Sequence, residues 1–264
     1  MEVLKAVFLL AFGLAIGSFL NVVIYRVPRD LSVVSPASAC PVCKHEVRGF
    51  DNVPVLSWIV LRGKCRDCRT PISIRYPAIE LLTGLLFLAV GARLDADREQ
   101  GAELAAWLVL AAAGVALGAI DLELFRLPFK ITRVAAVLVV VCLAVDAAID
   151  SADPAGKAVA SAAIWFGLYW LLWFGSAGKA MGFGDVVLAP LLGLALGWLG
   201  WGPSVVGLFG GFVVGAVVGL VLMAGGKVGR RAKVPHGPFM LAGTAIGLFA
   251  GQPIWDAYLN TLGR

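Results

Sequence analysis

Apolar and polar residues fall in long blocks along this chain rather than in the short periods of a soluble fold. An apolar run over residues 3–24 is followed by a polar stretch, 25–76, rich in Pro, Cys, Arg and Lys. Apolar runs resume at 77–92, 102–120, 132–148, 158–176, 186–199, 204–224 and 237–250. A helix needs ~20 mostly apolar residues to span a bilayer. The pattern therefore predicts an all-α polytopic membrane protein of about eight transmembrane helices. Of these runs, 77–92, 186–199 and 237–250 are short for a span. The expected divisions are a first helix over 1–24, a small polar module over 25–76 and a seven-helix membrane domain over 77–264.

Composition supports the membrane class. Of 264 residues, 60% are hydrophobic and 15% charged, against about 45–50% and about 25% in soluble domains. The mean hydropathy is +0.89. A net charge of +5 would raise nucleic acid as a partner in a soluble protein. Here the basic residues report topology instead, and no nucleic-acid partner is expected. With the N-terminus outside, most of the 22 Lys and Arg lie in inside segments. These are the polar stretch, the turn with Arg126, Lys130 and Arg133, and the loop with Lys227, Arg230, Arg231 and Lys233. Asp95, Asp97, Glu99, Asp146, Asp150 and Asp153 collect outside. The inside loop holding only Lys179 is the weak point of the pattern. Both termini are thus expected outside. The first run has only Lys5 as a basic flank and no small-residue cleavage site, so it reads as a retained helix rather than a signal peptide. The lipid bilayer is the expected surrounding. Gly207, Gly210, Gly211, Gly215 and Gly219 form a small-residue stripe suited to close helix packing.

Two acidic residues stand out against this background. Asp185 ends the stretch Met181-Gly182-Phe183-Gly184-Asp185 and opens an apolar run. A charge there costs roughly 2.5–3.5 kcal/mol on insertion scales, which favours a functional reading. The predicted topology places Asp121 at the same cytoplasmic depth, where the third helix reaches the inside. Two carboxylates sharing a site do not both ionise cheaply. One ionised and one protonated carboxylate suit hydrolysis, with water activated by the first and a carbonyl polarised by the second. Gly182 and Gly184 permit positive φ and close backbone approach, so they are candidates to receive an extended substrate. Asp121 as an interfacial residue and Asp185 as a helix cap are the structural alternatives. Glu80, just after Pro77, reads as an ordinary helix start, and Glu123 as a solvated surface residue.

The polar stretch holds Cys40-Pro-Val-Cys43 and Cys65-Arg-Asp-Cys68. Two such knuckles complete a tetrahedral four-thiolate site. A cytoplasmic location weighs against disulfides. The site is closed, so its role is structural, and zinc suits it, with a rubredoxin-like iron site as the alternative. Metal would fold a loop too small and polar to build its own core. His45 reads as a surface neighbour, and Cys142 as a small residue in an apolar run.

Taken together, these residues resemble the bacterial prepilin peptidases, or type IV leader peptidases, membrane aspartic proteases of the GxGD class. The resemblance is carried by Gly17-Ser-Phe-Leu-Asn-Val-Val-Ile-Tyr-Arg26, the four cysteines, and Ile74-Arg-Tyr-Pro77 with Glu80. It continues through Asp121 with Leu127-Pro128 and Thr132, then Gly182-Phe-Gly-Asp185, then Val234-Pro-His-Gly-Pro-Phe239. Two positions depart from the pattern. Phe129 stands where members often have Asp, and Val187 where they often have Lys. The resemblance implies removal of the short basic leader from type IV prepilins or type II secretion pseudopilins at the cytoplasmic face of the inner membrane. It also implies N-methylation of the new N-terminal residue with S-adenosylmethionine, an activity for which no Gly-rich nucleotide loop is visible. A proton- or cation-coupled transporter is the alternative, since buried Asp pairs also mark ion pathways. A membrane redox protein built on the four cysteines is a third reading.

Overall fold

The computed structural model describes residues 1–95, 101–179, 181–226 and 234–263. Among them are nine α-helices: α1 (Val3–Arg26), α2 (Leu56–Val60), α3 (Arg75–Asp95), α4 (Gly101–Leu124), α5 (Phe129–Ile149), α6 (Asp153–Gly175), α7 (Phe183–Leu199), α8 (Trp201–Ala224) and α9 (Gly237–Thr261). All but α2 are long. Six segments, starting at Val3, Arg75, Gly101, Phe129, Asp153 and Trp201, are long and apolar enough to cross a membrane, and α7 is a shorter apolar helix. The all-helical class stands; six spans qualify by length and composition among the described residues, and the count of eight is not confirmed. Asp97, Glu99, Lys227, Arg230, Arg231 and Lys233, used in the orientation argument, lie outside the described residues. The chain divides into two compact units, Met1–Ala116 and Leu117–Arg264.

In the first unit α1 packs along α3. A Cβ added to Gly13 would lie 2.8 Å from the Gly84 Cα, and one on Gly17 would lie 2.6 Å from the Glu80 Cα. The two backbones therefore touch. In lipid there is no hydrophobic drive between helices, so such close packing supplies the association. Asn21 Nδ2 donates to the Tyr76 carbonyl at 3.1 Å and adds a polar tie.

The polar stretch has almost no apolar interior. No hydrophobic side chain between Ile24 and Ile79 is buried. Its order comes from polar contacts. Glu80, buried one turn into α3, accepts the Val55 N–H at 2.7 Å. Val55 has φ +62°, a strained value for a β-branched residue, and this bond holds it. Glu80 is therefore more than a helix-start residue. Trp58 Nε1 donates to the Ile72 carbonyl at 3.0 Å.

In the second unit α7 is the central helix and packs on α5, α6, α8 and α9. Val186, Leu188, Ala189, Leu192 and Leu196 are fully buried. Protein covers it on most sides, which accounts for a short helix in this position. Gly193 and Gly197 let it approach Ala158, Ser161 and Trp165 of α6. The Ser161 and Ser204 hydroxyls share a short hydrogen bond, and Trp165 Nε1 donates to Ser204 Oγ at 3.0 Å. The predicted glycine stripe on α8 packs mainly against α9. Gly211 approaches the Phe239 carbonyl and Gly215 the Phe239 ring, while Gly219 meets nothing. The last helix extends well past the predicted 250 and continues through Pro253. Trp255 accounts for part of this extension, since it packs on Gly202 of α8.

Candidate active site and metal centre

The second unit brings Asp121 and Asp185 together from opposite ends of two helices. Asp121 sits in the last turn of α4. The Phe125 N–H closes that turn on the Asp121 carbonyl at 2.9 Å, and Phe125 then turns the chain away at φ +53°. Asp185 sits in the first turn of α7. Each is 5% exposed, and Leu127 packs against a glycine beside each of them. Mutual repulsion and the loss of water both work against two charges here.

Each carboxylate is tethered by one backbone N–H. Gly182 donates to Asp185 Oδ2 at 3.0 Å, one half of a capping box at the start of α7. Gly237, the first residue of α9, donates to Asp121 Oδ2 at 3.0 Å. Both aspartates thus accept from helix N-termini, where orphan N–H groups and the helix dipole favour an anion. Among the described residues, Oδ1 of each has no hydrogen-bond partner. Each Oδ1 is therefore not committed to these tethers.

The glycines do not use the positive φ that the sequence allows them. Gly182 is extended (φ −76°, ψ 153°) and Gly184 is helical, so neither uses the left-handed region. A Cβ on Gly184 would lie 2.8 Å from the Leu127 Cβ. A Cβ on Gly237 would lie 2.8 Å from Asp121 Oδ2 and 3.1 Å from Leu127 Cδ2. Leu127 is thus wedged between two glycines, one beside each aspartate. Alanine at Gly184 would add up to about 1 kcal/mol of helix propensity. Overpacking the Leu127 contact costs about 1–3 kcal/mol, so the clash wins. Gly184→Ala is expected to lower both the melting temperature and the rate of substrate cleavage. A rise in either measurement would refute the wedge.

The sequence missed Gly237 as the tether of Asp121 and the hydrogen bond of Tyr169 to His236, the residue before Gly237. A lone tyrosine in an apolar run and one of only two histidines, His236, were the available signals. Phe129 and Phe183 meet edge to face at 6.2 Å, and both are about half exposed.

In the first unit the four cysteines form one cluster. Their sulfurs all lie within 4.8 Å of one another. Cys40 and Cys68 are 3.7 Å apart, and Cys43 and Cys65 are 4.0 Å apart. A disulfide needs about 2.05 Å, so these are thiols. Tetrahedral zinc with 2.3 Å bonds spaces its sulfurs about 3.8 Å apart, and the cluster fits that spacing. The two knuckles repeat one backbone pattern. Lys44 and Arg69 N–H donate to the Cys40 and Cys65 carbonyls, and the Cys40 and Cys65 N–H donate to the His45 and Thr70 carbonyls. The Thr70 hydroxyl, then its backbone N–H, pulls the Cys68 thiol down to about 6, which favours a thiolate ligand. Two ion pairs clasp the knuckles. Arg66 grips Asp51 through two bonds of 2.7 and 2.5 Å, and Arg48 meets Asp67 at 2.9 Å. The Arg66 bonds hold the Asp51 carboxyl below its ordinary range. His45 is exposed.

Comparison with known proteins agrees across nearly the whole chain. Residues 11–94 match the bacterial peptidase A24 N-terminal domain, and residues 108–220 match the type IV leader peptidase family. A prepilin leader peptidase/N-methyltransferase of Myxococcus xanthus is 42% identical over 87% of this chain and 67% of its own length. Proteins of the same name from Burkholderia pseudomallei and Aeromonas hydrophila are 37% and 34% identical. They cover 96% and 94% of this chain, and 87% and 92% of their own lengths. No solved structure matches.

Proposed function

The chain belongs to the type IV leader peptidase family, and we propose that Asp121 and Asp185 are its catalytic pair. The protein is a prepilin leader peptidase that also N-methylates its product. One observation supports the site reading: two buried carboxylates, at the ends of α4 and α7, each accept one backbone N–H through Oδ2, and the two glycines beside them pack on the same Leu127. The ionised member takes a proton from water. The water oxygen then attacks the scissile carbonyl, whose oxygen receives the proton of the other member. Collapse of the tetrahedral intermediate breaks the C–N bond, and a proton passes to the leaving amine. The pair returns to one shared proton and titrates as a unit.

Gly182 and Gly184 form the rim that admits an extended substrate segment, supported by the extended backbone at Gly182. Cys40, Cys43, Cys65 and Cys68 hold a structural zinc, supported by the sulfur spacing. The methyl group for the new N-terminal amine comes from S-adenosylmethionine. The substrates are prepilins or pseudopilins with a short basic leader.

The protein is a multi-pass protein of the bacterial inner membrane. Residues 1–24 form the first span, 25–76 the cytoplasmic zinc module and 77–264 the seven-helix catalytic domain. Both termini lie outside and the aspartates lie on the cytoplasmic side, as the distribution of basic residues supports. The names of the relatives favour this reading over a cation-coupled transporter.

In lipid, the purified chain is expected to shorten a prepilin by its leader and, with S-adenosylmethionine, to add one methyl group to the new terminus. Mass spectrometry reads both steps. A prepilin left at full mass would overturn the assignment.

A further inference from the structure

We propose that Tyr169 and His236 are positioning residues of the aspartate pair: their hydrogen bond fixes the start of α9, and with it the Gly237 N–H that holds Asp121. The inference rests on the assignment of Asp121 and Asp185 as the catalytic pair.

Tyr169 is fully buried in α6, a helix that carries no member of the pair. A buried tyrosine hydroxyl needs a polar partner, and its partner is His236 Nε2 at 3.2 Å. The His236 ring is fixed on several sides. Its centroid lies 5.8 Å from Tyr169, 5.5 Å from Phe212 and 6.2 Å from Phe239. Three aromatic rings fix its place, and Tyr169 is the hydrogen-bond partner that sets its rotation.

The backbone of His236 then transmits this placement. His236 is the N-cap of α9, and its carbonyl accepts from the Phe239 and Met240 N–H groups at 3.0 and 3.1 Å. The next N–H in the chain is that of Gly237, which points at Asp121 Oδ2. Hydroxyl, imidazole, helix cap and amide thus form one continuous mechanical link. It runs from Tyr169 on α6 to Asp121. Misplacement of a catalytic group by about 1 Å can cost 10²-fold in rate, so a link of this kind has kinetic weight beyond packing.

Packing alone and positioning predict different results. If the pair only fills space, its loss lowers stability and leaves turnover per folded molecule intact. If it positions Asp121, its loss lowers kcat while KM for the prepilin stays close to wild type. The test uses the full chain in lipid with a purified prepilin. Tyr169→Phe retains the stacked ring and loses only the hydroxyl. It is expected to lower kcat about tenfold, the scale of one hydrogen bond. His236→Ala is expected to do the same, and the double variant should be no slower than either single. His236→Gln places an amide near the Nε2 position and should recover most of the lost kcat.

Because Tyr169 is fully buried, the His236→Gln and His236→Ala comparison decides the matter if the Phe variant folds poorly. Equal kcat for those two variants overturns the proposal, as does a Tyr169→Phe protein with full kcat. Losses that multiply in the double variant overturn it too. Asp121→Asn, assayed alongside, is expected to be inert. If it cleaves, the catalytic assignment itself falls. If it is inert while the Tyr169 and His236 variants turn over normally, only the positioning role falls.

Discussion

Asp121→Asn and Asp185→Asn proteins fold, melt at or above the wild-type temperature, and do not remove a prepilin leader. The stability half of this expectation follows from burial. Each carboxyl is 5% exposed, and a group that is charged in water but enclosed in protein is costly to bury. An amide has nearly the same shape, and its oxygen still accepts the N–H of Gly182 or Gly237. The α7 and α9 ends should therefore survive the exchange. The activity half follows from proton bookkeeping. An amide neither takes the proton of water nor delivers one to a carbonyl. General acid–base catalysis contributes roughly 10²–10⁴-fold, so each single variant should fall by at least that amount. Groups that work as one unit are strongly non-additive, so the double variant should be no slower than either single. The measurement is leader removal by mobility shift or mass, alongside thermal melting of the same preparations. Processing at the wild-type rate by either variant would remove that aspartate from the mechanism.

The second large effect concerns the four cysteines. Cys40→Ser with Cys65→Ser takes one thiol from each knuckle and should abolish zinc binding. The stretch between Ile24 and Ile79 buries no hydrophobic side chain, so it has no apolar core to fall back on. The surface ion pairs Arg48–Asp67 and Arg66–Asp51 contribute little individually. A structural zinc site contributes about 10–16 kcal/mol in isolated zinc-finger peptides. That is much more than such ion pairs supply. The expected results are loss of bound zinc by elemental analysis and rapid proteolysis within residues 27–74, with the membrane helices intact. A strong chelator should reproduce the proteolysis in the wild type. Unchanged zinc content in the double variant would end the metal assignment, and iron in the wild type would revive the redox reading.

The helices were legible because hydropathy in a membrane protein is a long-range signal that a single sequence displays directly. The cysteine knuckles were legible because ligand spacing is local. Asp121 and Asp185 became a pair only through topology, which set them at one depth. The parts that escaped detection are contacts without a local signature. Gly237 lies 116 residues from the carboxylate it tethers, and no periodicity announces such a bond. Glu80 looked like a helix-start residue, yet its oxygen reaches back 25 residues to Val55. The glycines of the Gly182–Asp185 stretch were noticed for their conformational freedom. Gly184 is needed for its missing side chain, because Leu127 occupies that space. The last helix runs past its predicted end at 250 and through Pro253. Trp255, packed on α8, supplies a tertiary reason for it to continue.

The tethering of one oxygen on each aspartate has a pharmacological consequence. Since Oδ2 of Asp185 and Oδ2 of Asp121 each already accept a backbone amide, the two oxygens without a partner among the described residues are the two Oδ1 atoms. On the proposed catalytic assignment, a hydrated ketone brings two O–H donors, one for each of these oxygens, whereas a single hydroxyl donates to one and accepts from the protonated member. A larger polar warhead would have to compete with glycine amides that belong to the helices themselves.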